Sequence, residues 1–119
     1  MRNFNSKIDL RRVKNAARGY EEALLRRILP HAVKQGSEYV AINPTRYDRN
    51  LGSFRIKAHT LKWADFSTGD RGDDIISLWA YVRQLAQLKA AEEIMQIVKA
   101  QEASDRGIDI LHATKEKEA

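Results

Sequence analysis

The feature that most constrains this fold is a stretch in the middle of the chain, GSFRIKAHTLKWADF, in which apolar and polar residues alternate. The alternation runs over residues 53–58 and again over residues 61–66. A period of two is typical of a half-buried strand, because successive side chains point to opposite faces of a sheet. The corner between the two runs, His59 and Thr60, is short enough for a hairpin. The stretch therefore predicts an antiparallel pair of strands.

The predicted hairpin has one basic face and one largely apolar face. When Lys62 lies beside Arg55 and Lys57, the side chains of Trp63 and Asp65 point inward. A buried carboxylate needs a partner, because an unpaired charge in apolar surroundings costs several kcal/mol. We therefore expect Asp65 to contact a polar or charged side chain from elsewhere in the chain.

The region before the hairpin combines a helical pattern with a short strand. Apolar residues at three- and four-residue steps predict one amphipathic helix over residues 9–29, with Asp9 as its cap. Gly19 is a position where this helix bends or is interrupted. A turn then leads into the short run EYVAIN, which ends at Pro44 because proline disfavours a continuing ladder.

Two further helices are predicted after the hairpin. The turn STGDRGDD leads into ISLWAYVRQL, whose apolar residues have helical spacing. Asp73 or Asp74 is therefore first of all an N-cap that satisfies free amide groups. A last helix is predicted over residues 88–101, and residues 104–119 are expected to form a charged tail or a linker.

These elements predict a single α+β domain over residues 1–103. Its sheet is small and antiparallel, with about three strands over residues 38–43, 53–58 and 61–66. One N-terminal helix and two C-terminal helices flank it. The 119 residues suffice for one modest core and are too few for two domains of ordinary size.

Composition excludes several kinds of site and location. The chain has no cysteine, so disulfides and thiolate metal ligands are excluded, and its three scattered histidines do not make a zinc set. No metal or other cofactor is expected. No apolar run approaches the roughly 20 residues of a membrane span, and the N-terminus lacks the apolar core of a secretory signal. A cytoplasmic protein without membrane contact is the expectation.

The positive charge of the chain is concentrated in its N-terminal part. The formal net charge is +5, and residues 1–34 hold nine Lys and Arg against three Asp and Glu. Arg11 and Arg18 lie on the polar side of the first predicted helix, where they can extend the basic surface of the hairpin. Polyanion binding is the functional interpretation. The alternative is that these side chains only keep the surface solvated.

Four short motifs in the central region point to a known family. They are Asn43-Pro44-Thr45-Arg46, Ser53-Phe54, Asp65-Phe66-Ser67-Thr68-Gly69 and Gly72-Asp73-Asp74. The segment resembles the zinc-ribbon domain of bacterial and phage DNA primases, in the degenerate form found ahead of toprim or helicase modules on mobile elements. In that family a Cys-Pro-x-His pair precedes a strand beginning near Ser-Phe, the next strand ends in Cys-Phe-x-Cys-Gly, and a Gly-Gly-Asp turn opens a helix. The resemblance covers about half of the chain.

All four positions that carry zinc ligands in the family differ here, and they are Asn43, Arg46, Asp65 and Thr68. The resemblance therefore implies a ribbon without its metal. Because zinc ties two knuckles together in the family, we expect Arg46 and Asp65 to form a partly buried ion pair in its place. Asn43 and Thr68 would complete the polar cluster. The alternative is that Arg46 and Asp65 both point to water and contribute little.

The resemblance also implies a function, which is an accessory DNA-binding role in replication priming. The ribbon grips single-stranded template DNA, and any catalytic toprim module or helicase lies elsewhere, so this chain is not expected to be an enzyme. On this interpretation Arg55, Lys57 and Lys62 neutralise phosphates, and Tyr47 or Trp63 stacks on a base. A core position is the competing interpretation for Trp63.

Two other classes of function stay open. A phosphoryl-transfer enzyme would use acidic residues to hold Mg²⁺, and the candidates are Asp65, Asp70, Asp73 and Asp74. No Asp-x-Asp pair and no nucleophile with an adjacent base accompany them. A protein-interaction module would instead dock a helicase or another replication partner through the last helix and the tail.

Overall fold

The computed structural model describes residues 9–48 and 51–118, with side chains up to residue 106. Its elements follow the chain in the order α1 Leu10–Ala16, α2 Glu21–Ile28, β1 Val33–Gln35, β2 Glu38–Ala41, β3 Phe54–Lys57, β4 Trp63–Asp65, β5 Arg71–Gly72, α3 Ile75–Arg83 and α4 Gln87–Glu118. The predicted α+β class is confirmed: the described chain forms one antiparallel sheet with two helices before it and two after it.

The central hairpin forms with the inward and outward faces that the alternation predicted. Strands β3 and β4 pair antiparallel, with Phe54 opposite Asp65 and Ile56 opposite Trp63. All four of these side chains are buried. The backbone N–H of Lys57 closes the hairpin by donating to the carbonyl of Lys62 at 2.7 Å. Each predicted strand is present, although each observed strand is shorter than its predicted range.

The described sheet has five strands in the order β1-β2-β3-β4-β5, so the prediction of about three strands is wrong. Strand β1 is exposed along its whole length and has no alternation to reveal it. It pairs with β2 through a two-residue turn in which Gly36 has φ +64°, and type II′ hairpins place a glycine at that position. Strand β5 has two residues, so pairing with β4 alone defines it.

The predicted N-terminal helix is two helices, because the chain turns at Gly19. Gly19 has φ +89°, a left-handed conformation that residues with a Cβ rarely adopt. Its backbone N–H donates to the Glu21 carboxylate at 2.8 Å, which stabilises the start of α2. The Asp9 cap is present, since its side chain accepts from the Arg11 and Arg12 amides.

The C-terminal helices follow the predicted order but not the predicted end. Asp74 caps α3 through a reciprocal capping box with Ser77. Gln84, the residue after the helix, is its C-cap and has φ +58°. Helix α4 continues past residue 101, where the sequence predicted its end, and crosses residue 104 without interruption. Residues 102–119 contain no proline and are rich in Ala, Glu and Lys, which have high helix propensity.

One hydrophobic core lies between the inner face of the sheet and the helices. The helices contribute Leu24, Leu78 and Ile94, and the sheet contributes Phe54 and Ile56, all fully buried. Helix α3 contacts α1, α2 and α4, so it joins the two ends of the chain. Among the described residues, no helix is both long enough and apolar enough to cross a bilayer.

Gly72 is tightly enclosed, and this generates a first prediction. A Cβ at this position would overlap the Trp63 indole and the Ser77 hydroxyl, and overpacking of this kind costs about 1–3 kcal/mol. We expect Gly72→Ala to lower the free energy of unfolding by about 2 kcal/mol in denaturant melts. Arg71→Ala, on the same strand but exposed, is the control and should change stability by less than about 0.5 kcal/mol. Equal stabilities of the two variants would contradict the close contact.

Candidate nucleic-acid interface

A buried ion pair joins the loop after β2 to the end of β4. Arg46 Nε donates to Asp65 Oδ2 at 2.8 Å and Arg46 Nη2 donates to Asp65 Oδ1 at 3.2 Å. The Asp65 side chain is 0% exposed, and that of Arg46 is 26% exposed. Two parallel bonds between a guanidinium and a carboxylate give geometric specificity as well as attraction. Arg46 and Asp65 therefore meet in the partly buried contact that the sequence predicted.

Asn43 completes this contact as a second partner of Asp65. Its Nδ2 donates to Asp65 Oδ2 at 2.7 Å and to the Tyr81 hydroxyl at 2.8 Å. Its Oδ1 accepts from the backbone N–H and the hydroxyl of Thr45, at 2.9 and 2.8 Å. Every polar atom of the buried Asn43 side chain is therefore satisfied. We call Arg46, Asp65 and Asn43 the clasp.

Thr68 does not belong to the clasp through its side chain, so that prediction is wrong. Thr68 is exposed, and its hydroxyl accepts from the Asp70 amide at 3.1 Å. Its backbone N–H instead donates to the Asp65 carbonyl at 3.2 Å. The position predicted for the Thr68 side chain is taken by Tyr81 of α3, whose hydroxyl also donates to Asp70 Oδ2 at 2.8 Å. No local pattern indicated Tyr81, because it lies 16 residues beyond Asp65 on another element.

The clasp is charged, and its surroundings keep it so. Burial raises the pKa of Asp65, but hydrogen bonds from Arg46, Asn43 and the Ser67 amide outweigh burial and hold that pKa at about 2. The hydrogen bond to Asp65 raises the pKa of Arg46. A buried carboxylate that accepts several hydrogen bonds favours its ionised form.

An aromatic layer lies beneath the clasp. The rings of Trp63 and Tyr81 are 4.4 Å apart between centroids, and Phe54 lies 6.0 Å from Trp63 and 6.1 Å from Tyr81. Trp63 is only 6% exposed and its Nε1 donates to Ser77 Oγ at 3.0 Å. Trp63 is therefore a core residue and not a stacking platform for a base. Tyr47, the other predicted stacking residue, is 81% exposed.

The outer face of the sheet carries the predicted basic residues, and one carboxylate neutralises part of it. Arg55 Nη1 lies 3.2 Å and Lys57 Nζ lies 3.7 Å from the Glu38 carboxylate. Arg55 Nε also donates to the Gly52 carbonyl at 2.9 Å. Arg55 and Lys57 are therefore held in place by Glu38, and their combined charge at this face is reduced by one.

Lys62, Arg71 and Phe66 add a second part to the outer face. Neither Lys62 nor Arg71 forms an ion pair with a side chain that the structure describes. Phe66 is 73% exposed. A cavity of about 260 Å³ brings these residues together with Arg55 and Lys57.

Sequence reasoning missed Phe66 and Arg71 for different reasons. In the sequence Phe66 stands out only as part of the motif Asp65-Phe66-Ser67-Thr68-Gly69, although the alternation places it on the same side of the strand as Lys62. No sequence pattern indicated Arg71, because it follows a turn. Its place opposite Ala64 depends on the pairing of β5 with β4. The helix residues predicted to help, Arg11 and Arg18, are exposed outside the sheet.

The acidic residues considered for Mg²⁺ are engaged in structural contacts or lie apart. Asp65 belongs to the clasp, Asp70 accepts from Tyr81, and Asp74 caps α3. Within the part of the chain that the structure describes, no three His, Cys, Asp or Glu residues cluster as a metal site would require.

Breaking the clasp on one side should destabilise the protein more than removing both charges. Arg46→Met or Asp65→Leu alone should lower the free energy of unfolding by about 3 kcal/mol. The first change strands the buried carboxylate of Asp65, and the second leaves Arg46, among the described side chains, with only its longer ion pair, to Asp48 at 3.5 Å. The double variant should lose less than the sum of the two single variants. Denaturant melts of the four proteins measure this coupling.

The ion pair between Arg83 and Glu93 is the matched control for the clasp. It has the same forked geometry, at 3.0 and 2.7 Å, but its side chains are 49% and 25% exposed. The same cycle there, with Arg83→Met and Glu93→Leu, should give a coupling below about 1 kcal/mol, because solvent screens the charges. Small, additive effects at both pairs would show that burial of the clasp contributes no stability.

Acid should weaken the clasp in a defined range of pH. The folded pKa of Asp65, about 2, lies below the value of about 3.9 for an unfolded aspartate. Its contribution of about 2 kcal/mol is therefore complete above about pH 5 and is lost as the pH falls through about 2. The stability difference between wild type and Asp65→Asn, measured by urea melts, should shrink over that range. A difference that is independent of pH would contradict the assignment.

Comparisons of the chain with models of known families, with curated proteins and with solved structures gave no match. The likeness to primase ribbons rests on the four sequence motifs, and the candidate interface rests on the contacts described above.

Proposed function

We propose that this chain is a nucleic-acid-binding module that grips single-stranded DNA on the outer face of its sheet. The observation that carries the proposal is an exposed aromatic ring, Phe66, in one cavity with Lys62 and Arg71. A single strand presents phosphates and unpaired bases together. A ring flanked by cations matches both groups.

The chemistry of each residue supports this division of roles. Lys62 and Arg71 have no internal carboxylate partner among the described side chains, so their charges are available to phosphates. Phe66 offers a face on which any base can stack, worth about 1–3 kcal/mol. Arg55 and Lys57, oriented by Glu38, extend the positive surface along β3.

The resemblance to primase ribbons supplies the biological context of the proposal. Three of the four positions that correspond to zinc ligands, 43, 46 and 65, are in hydrogen-bonding contact, as expected of a ribbon that replaced its metal by polar side chains. On this proposal the chain is a metal-free, zinc-ribbon-like accessory domain of a primase-type replication protein, acting in the cytoplasm. Catalysis would belong to a toprim or helicase module elsewhere.

A protein-interaction module is the second candidate, and one observation favours it. A cavity of about 390 Å³ lies between the C-terminal end of α2 and the end of β2 and is lined mainly by apolar side chains, among them Leu29, Ala32, Ile42 and Pro44. Of these lining residues, Ile42 is a large apolar side chain that is exposed to solvent. Salt separates the two candidates, because phosphate binding weakens steeply as salt rises and apolar docking does not.

Binding of a labelled oligothymidylate, followed by fluorescence anisotropy, tests the proposal. Phe66→Ala should weaken binding by roughly tenfold through loss of stacking. Lys62→Ala with Arg71→Ala should make the slope of log affinity against log salt shallower by about 1.4, for two lost phosphate contacts. Replacing Arg55, Lys57 and Lys62 together with Glu should abolish binding, because it reverses the local field.

Lys89→Glu is the matched control, since Lys89 is exposed on α4 and lines neither the 260 Å³ cavity nor the 390 Å³ cavity. It should change the affinity by less than about twofold. If wild type binds the strand no better than the Phe66 and Lys62–Arg71 variants do, the outer face is not the binding site.

A further inference from the structure

Ala64 is a small residue on the outer face of the sheet, at the middle position of β4. Its neighbours Trp63 and Asp65 are buried on the inner face, so the side chain of Ala64 points outward. Strand β4 lies between β3 and β5, and Arg55 and Arg71 are directly opposite Ala64 on these two strands. Side chains directly opposite each other in an antiparallel pair point to the same face, with Cβ atoms about 4.5–5.5 Å apart. A single methyl group therefore lies between two arginine side chains.

Two further side chains enclose Ala64 along its own strand. Lys62 and Phe66 are two residues away in either direction, so they point to the same face at roughly 7 Å from it. All of these residues line the cavity of about 260 Å³ on the outer face. Four long or bulky side chains thus stand around one methyl group. The cavity is present because position 64 holds an alanine.

The lining of this cavity favours an anionic ligand that also has a flat apolar part. It holds four cations against two carboxylates, and these are Arg55, Lys57, Lys62 and Arg71 against Glu38 and Asp73. Phe66 supplies an aromatic ring that is 73% exposed, and Ala64 supplies an apolar floor. The cavity is smaller than the roughly 300–1,000 Å³ of sites for whole small molecules. It therefore has room for one part of a larger ligand.

We propose that one unpaired base of a bound strand inserts into this cavity and lies over Ala64, in contact with the Phe66 ring. The phosphates on either side of that base remain outside, near the cations that surround the cavity. A base in a duplex is paired and stacked, and it enters such a site only after costly unstacking. This inference rests on the proposed function and names Ala64 as the residue that gives the outer face its preference for single strands.

The two arginines complete a site for the edge of the inserted base. Each guanidinium has several N–H donors in a fixed plane, and every base has acceptor atoms on its edge. Arg55 is already oriented, because its Nε donates to the Gly52 carbonyl at 2.9 Å and its Nη1 to the Glu38 carboxylate at 3.2 Å. Arg71 forms no ion pair with a described side chain, so its donors are available to the base.

Filling the space above Ala64 tests the inference. Ala64→Ile places a larger side chain where the base would lie, and isoleucine has high β-propensity, so the strand should persist. Two ligands of about 12 units are compared by fluorescence anisotropy, an oligothymidylate and an abasic chain with the same phosphates. The variant should bind the oligothymidylate roughly tenfold more weakly and the abasic chain equally well, because only the base is excluded. Ala64→Ser is the control: it leaves the cavity open and should change either affinity by less than about twofold.

A double variant shows whether Ala64 and Phe66 contact the same base. When Phe66→Ala is already present, Ala64→Ile should weaken oligothymidylate binding by less than about twofold further, because the stacked base is already lost. Fully additive losses would place two bases at separate sites and overturn the inference.

Ala64→Val fills less of the cavity and should give an intermediate loss, and it replaces Ala64→Ile if denaturant melts show that the latter is unfolded. No loss of oligothymidylate binding, or an equal loss for the abasic chain, overturns the inference. The proposed function stands in that case if Phe66→Ala still weakens binding. If wild type binds the oligothymidylate no better than the abasic chain, or binds neither, the proposed function itself fails.

Discussion

The buried contact between Arg46 and Asp65 is the interaction on which the rest of this structure depends. A carboxylate with no exposure must be satisfied, because an unpaired buried charge would cost more than a small domain can offset. Asp65 is satisfied only when the loop after β2 and the turn after β4 approach each other. Through Asn43 and Tyr81 the same contact reaches α3, which in turn packs against the other three helices.

The clasp also orients the candidate interface, because strand geometry couples the two faces of the sheet. With Asp65 pointing inward, its neighbour Phe66 points outward. The Ser67 amide donates to Asp65 Oδ1 and the Gly69 amide to the Asp65 carbonyl, both at 2.8 Å, so the turn that follows Phe66 is held by the clasp. That turn leads into β5, which carries Arg71 to its place beside Phe66. An internal polar contact thus positions the exposed residues of the candidate interface.

Charge on the surface is distributed by the fold and not only by composition. Glu38 neutralises part of the basic face that alternation predicted, whereas Lys62 and Arg71 keep their charge without a described partner. Arg18 is in the N-terminal part of the sequence but lines a cavity with Lys62 of the hairpin. The net charge of +5 indicates attraction to a polyanion. The paired and unpaired cations indicate where that attraction is strongest.

The sequence by itself determined the hairpin and the inward direction of Asp65, because a period of two is a local property of the chain. It also limited the cap of α3 to Asp73 or Asp74 and excluded thiolate ligands. Only the tertiary structure decided what surrounds these residues. Tyr81 takes the place expected for Thr68, and β1 and β5 exist through pairing with stronger strands. The physical reason is that hydrogen-bond partners and strand edges depend on residues far apart in sequence, which no local pattern brings together.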